Sequence, residues 1–433
     1  MISIHKSVWH KKNTAKEPKE GSRRRGSRLW FVMIVMLFEL SAIMGTGSPR
    51  ARAEGEVYRV NPSTVPYQKR YTKSVRYNSK TKQYYMLRSY LEQLEKDGGG
   101  TLTLEAGTYR ICNTLYVPSH VTILLEDGVT ILKTKETGTT ELISSKSLFQ
   151  LAAPSKAKTE GAYGGYEGET GITFRGMGTA VLDLGFVRDA IGIVLCHNTE
   201  VSISGITFQN MYSGHFIELD ASSEVTIEQN SFLNHKPSAS GNKEAINLDT
   251  PDRITGGIRL VWTKYDGTPN RNILIRRNTF DHLERAVGTH KYTEGKYHEK
   301  VQLLENKISN TTSDAIRALN WKAPVIRGNE IRMVAGGKGT DRGILASGLM
   351  APEITDNTFI DVPRSIQIMP WKNTKAGEAY EVTYNELTTK DMDLMLRNTL
   401  IRCGEKFIRV NKTYQVFNRD TDKYYFSSEY IKQ

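Results

Sequence analysis

The sequence predicts an all-β solenoid, a parallel β-helix with a helix capping its N-terminal end, and three observations carry that prediction. A short phrase recurs as VTIEQNSF (225–232), ILIRRNTF (273–280), VQLLENKI (301–308), VIRGNEI (325–331) and PEITDNTF (352–359), with apolar residues two apart, then Asn, then an apolar residue two further on. After a variable loop a second short strand follows each time: FIELDA (216–221), AINLDT (245–250), AVGTHK (286–291), AIRALN (315–320), GILASG (343–348) and SIQIMP (365–370). Finally, each unit alternates with period two over too few residues to fold alone, so it must stack on its neighbours to bury its inward side chains. The recurrent Asn230, Asn278, Asn306, Asn329 and Asn357 stand where the chain must turn. Asn tolerates left-handed backbone and its amide ladders with the Asn above and below, so this column reads as architecture.

The elements follow in order. Residues 1–28 are rich in Lys and Arg; an apolar run, 29–44, and a small-x-small site ending at Ala53 come next. That pattern predicts an export signal over 1–53, with an uncleaved membrane anchor as the alternative, and a secreted or cell-surface body. Much of the formal net charge of +12 sits in this leader. The remaining body is only modestly basic, which argues against nucleic acid and suits an anionic polysaccharide. Residues 54–83 read as an irregular lead-in. Tyr85, Leu87, Tyr90, Leu91 and Leu94 are spaced as a helix over 84–97, stopped by Gly98-Gly99-Gly100, and this helix is expected to cap the stack. Coils run over 84–374, interrupted by polar loops at 150–168, 253–270 and 292–299 that are expected to wall a groove. Residues 375–433 are expected to close the C-terminal end. The three cysteines, Cys112, Cys196 and Cys403, are too few and scattered for a disulfide framework, and Cys196 ends an apolar strand as a buried thiol.

The stretch 98–109, GGGTLTLEAGTY, after the predicted helix, together with the coils through Trp371, resembles the pectate-lyase-like superfamily. The resemblance implies a right-handed, single-stranded parallel β-helix. It does not choose among polysaccharide lyases, polygalacturonase-type hydrolases, epimerases, tailspikes and adhesins, all of which use this fold.

Chemistry is expected on the second strand of each coil. With Ile217, Leu219, Ile246, Leu248, Val287 and Ile316 inside, the outward residues form two columns: Asp220, Asp249, His290, and Glu218, Asn247, Gly288, Arg317. Strands of successive coils lie about 4.8 Å apart. Carboxylates stacked at that spacing repel, which raises the pKa of one and makes it a proton donor beside an ionised partner, the division that glycoside hydrolysis needs. His290 is placed to relay protons, and Arg317 to hold an anionic sugar. A lyase would use the same residues differently: Glu218, Asp220 and Asp249 would gather Ca²⁺, and Lys291 or Arg317 would remove the proton beside a uronate carboxylate. Trp262 and Trp321, on or beside the loops, are candidate platforms for sugar rings. His215 and His298 are expected at the surface near the groove, Glu244 at a strand start and Asp314 at a turn.

The order acid, acid, His, basic residue on consecutive coils is similar to that of polygalacturonases. The resemblance implies Asp220 and Asp249 as acid and base, His290 as supporting residue and Arg317 as substrate clamp. Three departures stand against a polygalacturonase proper: Asp249 is followed by Thr250 and not a second Asp, Gly288-Thr289-His290 replaces Gly-His-Gly, and no Arg-x-Lys follows. The expectation is therefore polysaccharide cleavage by paired carboxylates, with a Ca²⁺-dependent lyase or epimerase, or a glycan-binding adhesin that does not cleave, as the alternatives.

Overall fold

The computed structural model describes residues 55–239, 243–373, 380–383, 385–404, 408–410, 423–424 and 431–432. The predicted leader and its cleavage site lie outside the described residues. Each coil contributes one strand to each of three parallel sheets of 11 strands. One coil, for instance, runs Ser223–Glu228, Ser231–Lys236 and Glu244–Asp249. The next runs Arg271–Arg276, Thr279–Asp281 and Arg285–Gly288. Equivalent residues stack in register, as in Val225, Ile273 and Val301 of the first sheet and Ile246, Val287 and Ile316 of the second. The fold is a right-handed parallel β-helix, the hand that parallel crossovers favour.

Why these residues choose this architecture is visible inside it. Phe208, Phe232 and Phe280 stack down the core with centroids 4.9 and 4.8 Å apart and planes within 14°. Each such pair contributes about 0.5–1.5 kcal/mol beyond its burial. The Asn column is an unbroken amide ladder. Asn230, Asn278, Asn306 and Asn329 each donate Nδ2 to the next Asn's Oδ1 at 2.9–3.2 Å, and the same Oδ1 accepts the preceding Asn's backbone N–H at 2.9–3.0 Å. The left-handed backbone falls one residue earlier than expected, on Gln229, Arg277, Glu305, Gly328 and Asp356. The Asn side chain, not its backbone, is what the turn uses.

Both ends extend beyond the sequence expectation. Val57–Val60, inside the supposed irregular lead-in, pairs with Gly100–Leu104 as the first strand of its sheet, four residues being too few to show a period. Between them α1 (Lys82–Asp97) buries Tyr84, Tyr85, Leu87, Leu91 and Leu94 against the first coil and ends on Gly98 at φ 77°. Past 374, α2 (Thr389–Met395) starts on a Thr388/Asp391 capping box. Thr399–Ile401 then pairs with Thr358–Ile360, and Asn398 accepts Asn357 Nδ2 at 2.9 Å, so the ladder gains another rung. The phrase is there in sequence as Asn398-Thr399-Leu400, hidden by the insertion before it. Residues 411–422 lie outside the described residues.

Candidate functional site

The second sheet brings the two outward columns into register except for His290, which lies beyond the end of its strand at Gly288. Glu218, Asn247, Gly288 and Arg317 are successive cross-strand partners, as are Cys196, Asp220 and Asp249. What differs from expectation is their exposure: Glu218, Asp220, Asn247 and Asp249 are all at most 5% exposed. The cause is the pair of insertions, which fold over this face and bond to each other. Gly161 N–H donates to Val261 O at 3.0 Å, Tyr163 N–H to Trp262 O at 2.9 Å and Lys264 N–H to Tyr163 O at 2.7 Å. Trp262 is the plug beneath them, packed with Val194 and Cys196, its Nε1 donating to Gln150 Oε1 at 2.9 Å. Trp321 is buried too, with Nε1 on Thr289 Oγ1 at 2.8 Å. Neither indole offers a face to a sugar, in contrast to the expectation for both.

Beside the plug a cleft of about 660 Å³ opens, and His215, Glu218, Asn247, Asp249, His290 and Lys291 line it. Asp220 and Arg317 do not. Asp220 is fully buried next to Cys196, where burial and then the charges of Glu218 and Asp249 push its pKa well up. Glu218 is likewise held well up, by burial and by Asp249, while its Oε1 accepts Asn247 Nδ2 at 2.9 Å. Asp249 Oδ1 accepts the backbone N–H groups of His290 and Lys291 at 2.8 and 2.7 Å. Burial outweighs those two bonds, and the Asp249 carboxyl sits at about 6.

Glu244 and His215 were missed because the period-two alternation slips at the start of each of these strands. Phe216 and Ile217, Ala245 and Ile246, Ala286 and Val287, and Ala315 and Ile316 are pairs of neighbours that both enter the core. The residue before each pair therefore points away from it. These four residues, His215, Glu244, Arg285 and Asp314, together with Arg342 at the same place on the next strand, form a third column in which opposite charges alternate from Glu244 onward. Arg285 bonds Glu244 at 3.2 Å and Asp314 at 3.3 Å, and Arg342 bonds Asp314 at 3.2 Å and Gln367 at 2.8 Å. Burial alone would raise Glu244; the charges of His290, Arg285 and Arg317 bring it to about 2. His215 Nδ1 lies 2.6 Å from Glu244 O, and His290 Nδ1 lies 3.1 Å from Glu244 Oε2. Burial lowers His215 to about 4 and His290 to about 3, so both imidazoles are neutral near pH 7. Arg317, lowered to about 10 by burial, acts on Glu244 and Asp249 through charge. His298, expected at the surface, is buried and accepts Asn270 N–H at 3.0 Å. For Ca²⁺, Asp220 does not line the cleft and burial pushes its pKa well up, which leaves Glu218 and Asp249 of the three expected ligands, with Asp189 at the cleft paired to Lys146, a thin set for an ion that takes six to eight oxygens.

No family model matches the chain. The plasmin and fibronectin-binding protein A of Streptococcus pneumoniae (strain ATCC BAA-255 / R6) is 23% identical over 249 residues, 54% of this chain and 34% of that protein. The chain thus spans about a third of the length of that relative. Two structures of PfbA, described as a surface adhesin of Streptococcus pneumoniae, superpose with TM-scores of 0.53 and 0.52 at 17% identity, covering 76% of this chain and 76% and 80% of theirs. At that identity the likeness is one of fold.

Proposed function

We propose that the protein acts outside the cytoplasm on an anionic polysaccharide held in the second-sheet cleft, and that it hydrolyses it with Glu218 as proton donor and Asp249 as base. One observation carries this reading: two carboxylates on adjacent strands face the same cleft from different environments. Burial and the charge of Asp249 hold the Glu218 carboxyl well above the usual carboxylate range, while Asp249, fixed by two backbone N–H groups, ionises above about 6. That separation is what assigns acid and base in glycoside hydrolysis. Asp220, buried away from the cleft and itself pushed up by burial and by Glu218, is no longer the acid expected from the sequence. Lys146, Lys243, Arg259 and Lys291 on the cleft suit sugar carboxylates. Arg317 acts as an electrostatic neighbour of Asp249 and not as a substrate clamp.

The test is a panel of uronate-containing and neutral polysaccharides offered to wild type, Glu218→Gln and Asp249→Asn. New reducing ends with no unsaturated sugar, reduced about 10²–10⁴-fold in either variant, support the hydrolase. An unsaturated product would replace it with β-elimination. A second reading, binding without cleavage at a cell surface, is favoured by the likeness to PfbA. Retained glycan binding with no product in wild type would select it.

A further inference from the structure

We infer that His215, Glu244 and His290 form a binding site for one first-row divalent transition metal, of which Zn²⁺ is the probe, on the floor of the cleft. This goes beyond the carboxylate pair and does not depend on it. The three side chains present ligand atoms that all lie within 4.8 Å of one another, and both histidines line the cleft. Atoms bound to one tetrahedral metal at about 2.0–2.1 Å stand roughly 3.4 Å apart. The His290 Nδ1 to Glu244 Oε2 distance of 3.1 Å already matches that edge.

The surroundings prepare each ligand. His215 holds Nδ1 2.6 Å from the Glu244 carbonyl, so Nδ1 carries the hydrogen and Nε2 presents its lone pair. Metal-bound histidines are typically oriented by such a bond at the other ring nitrogen. Arg285 engages Glu244 Oε1 at 3.2 Å, and Oε2 faces His290 Nδ1 at 3.1 Å. Glu218 Oε2, 3.6 Å from His215 Nε2, stands beside the fourth position. Two imidazoles and a carboxylate are a borderline donor set that suits Zn²⁺ over Ca²⁺ or Mg²⁺, which take oxygen. Three protein ligands at a cleft leave the remaining position to water or to an oxygen of the bound polymer.

The experiment uses the untagged full chain, stripped with a chelator and titrated with Zn²⁺, Co²⁺ and Ca²⁺ in the absence of any glycan. The expected result is one Zn²⁺ per chain, and visible d–d bands when Co²⁺ fills the stripped site that disappear as Zn²⁺ is added, with Ca²⁺ failing to compete. His215→Ala and His290→Ala each weaken binding by about 10–100-fold or more. Because a Glu244 variant also strands Arg285, the Co²⁺ spectrum of wild type serves as the measurement that needs no mutant. Absence of stoichiometric Zn²⁺ binding, or binding that both His variants leave untouched, overturns the site. Either result leaves the hydrolase reading standing, since no substrate is present.

Discussion

The outer face of the first sheet and that of the second are built on the same strand spacing, yet they treat charge in opposite ways. On the first, opposite charges meet across strands in the open: Arg276 with Glu228 at 2.7 Å, Arg327 with Glu353 at 2.9 Å and Lys322 with Glu299 at 3.2 Å. On the second, Glu218, Asp220 and Asp249 share neighbouring positions under cover, and two of the three are cross-strand partners. Exposed pairs cost little and contribute little. Buried like charges cost stability, and folding alone has no use for them. The contrast marks the second sheet as the working face. Within that sheet the difference repeats, since the strand-start column from Glu244 to Arg342 is compensated charge by charge while the three acids are not.

The comparison is sharpest at Arg285. Arg285→Met removes the cation that the buried Glu244 and Asp314 share and is expected to destabilise by about 3–5 kcal/mol. Arg277→Met, which breaks the exposed 2.7 Å pair with Glu305, should cost less than about 1 kcal/mol. Equal costs in a denaturation experiment would erase the distinction between the faces. Next in size is the amide ladder. Asn278→Ala leaves the Asn230 N–H and the Ile227 carbonyl without their buried partners, at about 1–3 kcal/mol each, and thermal unfolding should move accordingly.

A third effect has the opposite sign. Asp249 is raised in the folded chain from 3.8 to about 6, so between those values the folded state holds a proton that the unfolded state has lost. Its contribution to stability is therefore present at low pH and lost as pH rises through about 6. Asp249→Asn keeps an acceptor for the two N–H groups and removes the titration. Relative to wild type, the variant should gain roughly 2–3 kcal/mol between pH 4 and 7, followed by denaturant melts at each pH. A gap that does not change with pH would show that Asp249 is not the strained group. Glu244 behaves in reverse: held at about 2, it contributes stability above its unfolded value that is lost as pH falls through about 2.

Much of this molecule was legible in the order of its residues. The Asn phrase announced the turn ladder, and the alternating apolar positions announced which residues share a column, because stacking of near-identical units leaves register little freedom. Asp249, Asn247 and Glu218 were found on one face for that reason. Glu244 was not, because a one-residue slip at the strand start, invisible to a period of two, turned it outward. Trp262 was misjudged because an aromatic residue in a polar loop reads the same whether the loop stands in solvent or folds back as a plug.

The sequence by itself thus determined the β-helix, its ladder of asparagines and the set of acids on one sheet, all consequences of local period and repetition. Tertiary structure alone decided which acids meet solvent, that two insertions 100 residues apart in the chain pair at Tyr163 and Thr263 to cover Asp220, and that His215, Glu244 and His290 converge. Those outcomes rest on contacts between segments with no periodic relation to one another. Burial, and the neighbouring charges that counter it at Glu244, exist only once such segments have come together.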